Sequence, residues 1–161
     1  VLALLVVLAA VALRPRGRSS SDTPRDNTVE RLLQGGGIKE AQEAARLLLL
    51  RLLDSPGDVE ALTNLGRCHV ALGQPHEAMQ SFERAVLHDT PVGSYHGRWA
   101  LDSFSKTARH LAAQQAADDI DGALTLLERA MIVAPADDAT LTLWAEMLQR
   151  AGALGAGKPN A

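Results

Sequence analysis

Aromatic side chains are scarce in this sequence: two Trp, two Phe and one Tyr in 161 positions. Val and Ile together number 13, and four of those Val lie within the first 11 residues. That is too little β-branched and aromatic material for a sandwich, a barrel or a buried parallel sheet. The single cysteine, Cys68, excludes an internal disulfide and a paired-cysteine zinc site. No charge sign dominates: 16 Lys+Arg stand against 19 Asp+Glu, net -3, which is not the basic excess of a nucleic-acid binder. What is abundant is Ala (27) and Leu (26), the strongest helix formers. The composition therefore predicts an all-α protein, of a length suited to one domain at the usual scale of roughly 100–200 residues.

The amino terminus, Val1 to Leu13, reads VLALLVVLAAVAL, thirteen apolar residues without a charge. A bilayer span needs about 20, so this stretch is expected to be part of a single transmembrane anchor over residues 1–13. Ala10-Val11-Ala12 also has the small-x-small form of a signal-peptide cleavage site. A core helix fits least, because the stretch is apolar all round. Residues 14–26 follow as a basic Ser/Pro linker that holds Arg14, Arg16, Arg18 and Arg25. By the positive-inside rule this flank is cytoplasmic. A more basic opposite flank would reverse that to the periplasmic or luminal side.

Beyond the linker the sequence repeats itself. Leu62, Leu65, Gly66 and His69 lie at i, i+3, i+4 and i+7, one face of a helix. Leu72-Gly73-Gln74-Pro75 stops that helix. Ala78, Phe82, Ala85 and Val86 then form the apolar face of a second helix, which Asp89-Thr90-Pro91 ends. Ala123, Leu127, Ala130 and Pro135 repeat the second-helix signature, and Leu141, Trp144, Ala145, Leu148 and Gly152 mark a final first helix. The helix before Ala123, with Leu101, Phe104, Ala108 and Leu111 on its face, runs about six residues longer than the pattern. Asn27-x-x-Glu30 opens a short helix carrying Val29, Leu32 and Leu33. Gly35-Gly36-Gly37 breaks it, and Ile38 to Asp54 reads as a long Leu-rich helix closed by Pro56.

On these residues the chain resembles the tetratricopeptide repeat family, whose 34-residue pattern is W-x2-L-G-x2-Y…A-x3-F…P. Leu62 stands at the Trp place, Leu65-Gly66 matches, His69 replaces Tyr, and Gly73, Ala78, Phe82 and Ala85 follow in register. The resemblance implies about three and a half repeats over residues 27–152, with the last helix as a cap and residues 153–161 as a tail. It implies a right-handed solenoid of helical hairpins. Val92–Gly97 and Gln114–Asp119 depart from the pattern as insertions.

Other motifs resolve into structural readings. Gly35-Gly36-Gly37 lacks the Lys-Ser/Thr of a phosphate loop, and Gly155-Ala156-Gly157-Lys158 has no helix after it. Asp119, Asp121, Gly122 and Glu128 fit part of a calcium loop, but its first ligand place holds Ala117. The five His lack HExxH or paired i,i+4 spacing. No metal, cofactor or catalytic set is expected.

In the resembled family, the first helix of each pair lines a concave face that takes a peptide or a partner helix. Here that face is expected to carry Thr63 and Arg67, then Trp99, Asp102, Lys106 and Arg109, then Thr142 and Glu146. Arg67, Lys106 and Arg109 make its middle basic, which suits an acidic or carboxylate-bearing partner with Trp99 as an aromatic anchor. Asn64 matches one place of the family's carboxylate clamp, while the accompanying Lys set is missing. The expected function is a membrane-held adaptor or assembly scaffold. A permanent accessory subunit of a larger membrane complex is the alternative, and a small helical enzyme the remote one.

Overall fold

The computed structural model describes residues 27–89 and 93–156. These form seven helices: α1 (Asn27–Gly35), α2 (Ile38–Asp54), α3 (Val59–Ala71), α4 (Pro75–His88), α5 (Tyr95–Gln115), α6 (Ile120–Val133) and α7 (Asp138–Ala156). The all-helical expectation holds for all of them, and among the described residues there is no strand. The expected anchor, residues 1–13, and the linker, residues 14–26, lie outside the described residues. Among those described, no helix is long and apolar enough to cross a membrane.

The punctuation follows local chemistry. Asp58 accepts a hydrogen bond from the Ala61 N–H at 3.0 Å and so caps α3, which satisfies one of the orphan donors of the first turn. Ser94 caps α5 by accepting from the Gly97 N–H at 2.9 Å. Asp119 caps α6 through the Gly122 N–H at 2.8 Å. That bond, together with the Gln115 amide, holds the Asp119 carboxyl below the usual carboxylate range. Its acidic neighbourhood is thus occupied with starting a helix. Between α3 and α4 the chain turns through Gly73 at φ +69°, and Pro75 opens α4, the pairing in which Pro costs nothing because its missing N–H is an orphan anyway.

Each helix packs on its neighbours in sequence, and α3 also touches α5, as α5 does α7. The core is built as the spacing predicts, from small residues facing large ones. Ala44, Ala61, Ala78, Ala85, Ala100, Ala108, Ala123 and Ala130 are wholly buried, with Leu48, Leu62, Phe82, Phe104 and Leu127 filling the spaces between them. The tightest place is the α3–α4 crossing. A Cβ added to Gly66 would lie 2.2 Å from the Phe82 ring, so that ring occupies the volume any larger residue would need. Cys68, two residues on, is completely buried, and burial pushes its thiol up to about 11.

The helix before Ala123 is long, as the sequence reading has it. Tyr95, His96 and Gly97 extend α5 at its start and Gln114–Gln115 at its end, giving 21 residues against 13 in α3. The face assigned to the last helix needs correction. Leu141, Ala145, Leu148 and Gly152 are exposed, whereas Thr140 and Met147 are buried and Leu143 and Trp144 half-buried. The physical reason is the absence of a following helix among the described residues. The Leu141 stripe corresponds to the Leu62–Gly66 stripe of α3, which α4 covers. With nothing placed to cover it here, α7 is held only through the side it turns to α5 and α6.

Replacing Gly66 by Val should destabilise the chain by about 1–3 kcal/mol, the cost of overpacking a filled core. Urea unfolding followed by circular dichroism would measure it. Phe82→Leu in the same chain should restore part of the loss, and an unchanged midpoint for Gly66→Val would contradict this crossing.

Candidate partner-binding recess

A recess of about 330 Å³ opens where α1, α3 and α5 meet, lined by Glu30, Glu60, Thr63, Asn64, Arg67, Tyr95, His96 and Trp99. Helical periodicity brings its members together. Glu60, Asn64 and Arg67 lie on one face of α3 at i, i+4 and i+7, and His96 and Trp99 are separated by three residues on α5. The extra first turn of α5 supplies Tyr95 and His96, so the lengthening of that helix contributes directly to this wall.

Trp99 is the joint between core and recess. One side of its indole meets the Phe82 ring edge-on, with centroids 5.8 Å apart and planes at 70°. The Arg67 guanidinium sits over the same indole, 5.5 Å from its centroid, a cation–π arrangement worth about 0.5–1 kcal/mol at a half-exposed site. Arg67 also donates to Asn64 Oδ1 at 3.1 Å and to Glu30 Oε2 at a long 3.4 Å. The guanidinium is thus oriented by stacking and by an amide, and only loosely neutralised by a carboxylate. On the opposite rim Glu60 pairs with Arg51 at 3.0 Å.

The eight residues expected on the partner face fall into several settings. Arg67 and Trp99 share the recess and touch each other. Thr63 borders it but is buried, and its hydroxyl donates to the Val59 carbonyl at 2.6 Å. Its contribution is therefore to hold α3 and the start of α5 together, with the His96 carbonyl 3.4 Å away. Asp102 and Lys106 form an exposed i,i+4 pair at 2.7 Å, worth only a few tenths of a kcal/mol on a helix surface. Lys106 lines a second recess of about 380 Å³ with Val70, Gly73, Pro75, Thr107, His110 and Gln114.

Arg109 is engaged internally. It is ion-paired with Asp137 and donates to the Thr140 hydroxyl at 3.1 Å, with both charged side chains mostly covered. It therefore clamps the start of α7 to α5. Thr142 and Glu146 are exposed on α7, away from the recess, and the Thr142 hydroxyl turns back to the Asp138 carbonyl.

Sequence reading overlooked Glu30, Glu60, Tyr95 and His96. All four stand in the first turn of their helices, and the repeat frame could have aligned those turns side by side. The basic middle expected from Arg67, Lys106 and Arg109 is, in the fold, three cations that each face an acid. Compared with known proteins, the chain matches no protein-family model and no curated sequence.

Removing the clamp through Arg109→Ala should cost about 1.5–3 kcal/mol, the scale of a charged hydrogen bond lost where Asp137 stays mostly covered. The loss should appear as faster amide hydrogen exchange confined to α7. Exchange unchanged across Asp138–Arg150 would contradict that role.

Proposed function

We propose that this chain is a tetratricopeptide-type scaffold, a right-handed solenoid held at a bilayer through residues 1–13, which grips a carboxylate-bearing segment of a partner protein on Arg67. The observation that carries this reading is the state of the Arg67 guanidinium. It is stacked on Trp99, hydrogen-bonded to Asn64, half-exposed at the mouth of a recess, and matched to its nearest carboxylate only at 3.4 Å. An oriented and partly desolvated guanidinium is a ready carboxylate receptor, because little further ordering is needed when the ligand arrives. The neighbouring indole gives the ligand an aromatic surface of the kind that anchors interfaces.

The local repeat pattern supports the scaffold part of the reading. Gly66 lies against the Phe82 ring, and Leu65, Ala78 and Phe82 are buried in one core, which supports this part of the reading. Such modules bind through an extended surface built from successive helices. The tether rests on the Val1–Leu13 stretch and the arginines behind it.

Two experiments test the proposal. In fluorescence anisotropy with the full chain in mild detergent, a peptide rich in Asp and Glu should bind more tightly than its Lys-rich counterpart. Arg67→Glu should weaken that binding about tenfold or more, a scale of about 1.4 kcal/mol or more, and Trp99→Leu should weaken it less. Equal affinity for both peptides, or for both chains, would refute the receptor. Separately, the full chain should co-float with phosphatidylcholine vesicles through an alkaline wash, whereas a chain lacking residues 1–13 should be released. Release of both would refute the tether.

A further inference from the structure

The α5 wall of the recess carries two aromatic rings one turn apart, Tyr95 and Trp99, at i and i+4 on one side of the helix. They differ in what lies on them. Trp99 bears the Arg67 guanidinium, 5.5 Å from its centroid. Tyr95 is 71% exposed and bears no cation among the described residues. Its ring meets that of His96 edge-on, with centroids 5.4 Å apart. Tyr95 is thus a shelf of the kind that Trp99 gives to Arg67, with its place still open.

The charges about the recess, counted among the described residues, do not balance. Three carboxylates, Glu30, Asp58 and Glu60, share two guanidiniums, Arg51 and Arg67. Arg51 is divided between Asp58 at 2.7 Å and Glu60 at 3.0 Å. Arg67 meets Glu30 only at 3.4 Å. Pairing within the chain therefore leaves one negative charge over, and Glu60 and Tyr95 line the same cavity. The one imidazole nearby, His96, stands 3.9 Å from Glu60.

A ligand that places a carboxylate on Arg67 enlarges that excess. It makes Glu30 give up its cation and adds a fourth carboxylate to the same two guanidiniums. Like charges gathered this closely oppose binding. The ligand offsets the excess when it brings a cation of its own, and the shelf for that cation is Tyr95, beside Glu60.

We infer that the recess takes a segment of both charge signs. Its carboxylate lies on Arg67, and a Lys or Arg side chain about 6 Å away lies on the Tyr95 ring against Glu60, the distance being one helical turn of four residues. The inference rests on the reading of Arg67 as the carboxylate receptor and supplies the other half of the ligand. In an extended peptide, side chains two residues apart share a face at about 6.5–7 Å. The matching pattern is therefore an acidic and a basic residue with one residue between them, and a purely acidic segment is the weaker ligand.

Fluorescence anisotropy with the full chain in mild detergent tests the second half of the ligand separately from the first, at pH 8 where ordinary imidazoles are neutral. Three labelled, end-blocked peptides are compared. One is Asp-Ala-Lys-Ala-Asp, which holds the pattern in both chain directions, and another is its Asp-Ala-Gln-Ala-Asp counterpart. The last is that counterpart with six Gly and a Lys appended, equal to the first in net charge. The first should bind about fivefold more tightly than the other two, the scale of one exposed cation–π contact joined by one exposed ion pair. Tyr95→Leu and Glu60→Gln should each reduce that preference to about twofold or less, while Tyr95→Phe should keep it. Both residues are exposed, so circular dichroism of these variants should match that of the unaltered chain.

Equal affinity for the Lys and Gln peptides, with Arg67→Glu weakening both, would leave the receptor standing and overturn the two-signed ligand. A preference that the distant Lys reproduces, or that survives Tyr95→Leu combined with Glu60→Gln, would belong to the net negative charge of the chain and equally overturn it. Binding of all three peptides untouched by Arg67→Glu would refute the receptor, and this inference with it.

Discussion

The approach of Phe82 to Gly66 is the constraint on which the other features depend. Because residue 66 has no side chain, α4 can lay an aromatic ring directly against the backbone of α3. The ring then presents its neighbour Trp99 edge-on, and the indole in turn becomes the shelf for Arg67. A chain with few aromatics has thus placed two of them in contact at one joint, where they connect the packing of a hairpin with the shape of its outer recess. Van der Waals packing of this density transmits displacement, since a filled interior has little compressibility. A small shift of α4 against α3 would be felt at the guanidinium.

Much of the fold was legible because alternating small and large residues at helical spacing leave few other solutions. Ala78, Phe82 and Ala85, and again Ala123, Leu127 and Ala130, could be assigned to interfaces from their intervals, and all are buried. The reading failed on α7 for a reason intrinsic to repeats. A pattern states which face suits a neighbour, and only the structure states whether a neighbour is there. Leu141 and Leu148 carry the right residues for a contact that has no second side among the described residues.

The recess was only half legible, and the difference is one of range. Arg67 and Trp99 could be placed by their offsets from packing positions on their own helices. Glu30 and Glu60 enter through the relation between helices, and it is they that alter the electrostatics. In sequence, Arg67, Lys106 and Arg109 add up to a basic strip. In the fold, Glu30, Asp102 and Asp137 stand opposite them. Charge counted along a chain overstates the field at a surface when each cation faces its own anion, and screening at physiological salt, with a Debye length of about 8 Å, reduces what remains. On the proposed reading, recognition at such a surface would depend on exchanging one carboxylate for another rather than on long-range attraction.

Glu30 gives that exchange a particular character. It is borne by α1, the first of the described helices, nine residues long and packed chiefly on α2. Short helices near the end of a stack open at low free energy, well before the whole structure unfolds. On the proposed reading, a ligand carboxylate would meet an Arg67 that Trp99 and Asn64 already orient, with Glu30 as a weak competitor at 3.4 Å. Loosening α1, for instance at Val29 or Leu33, would withdraw that competitor and leave the stacked guanidinium in place.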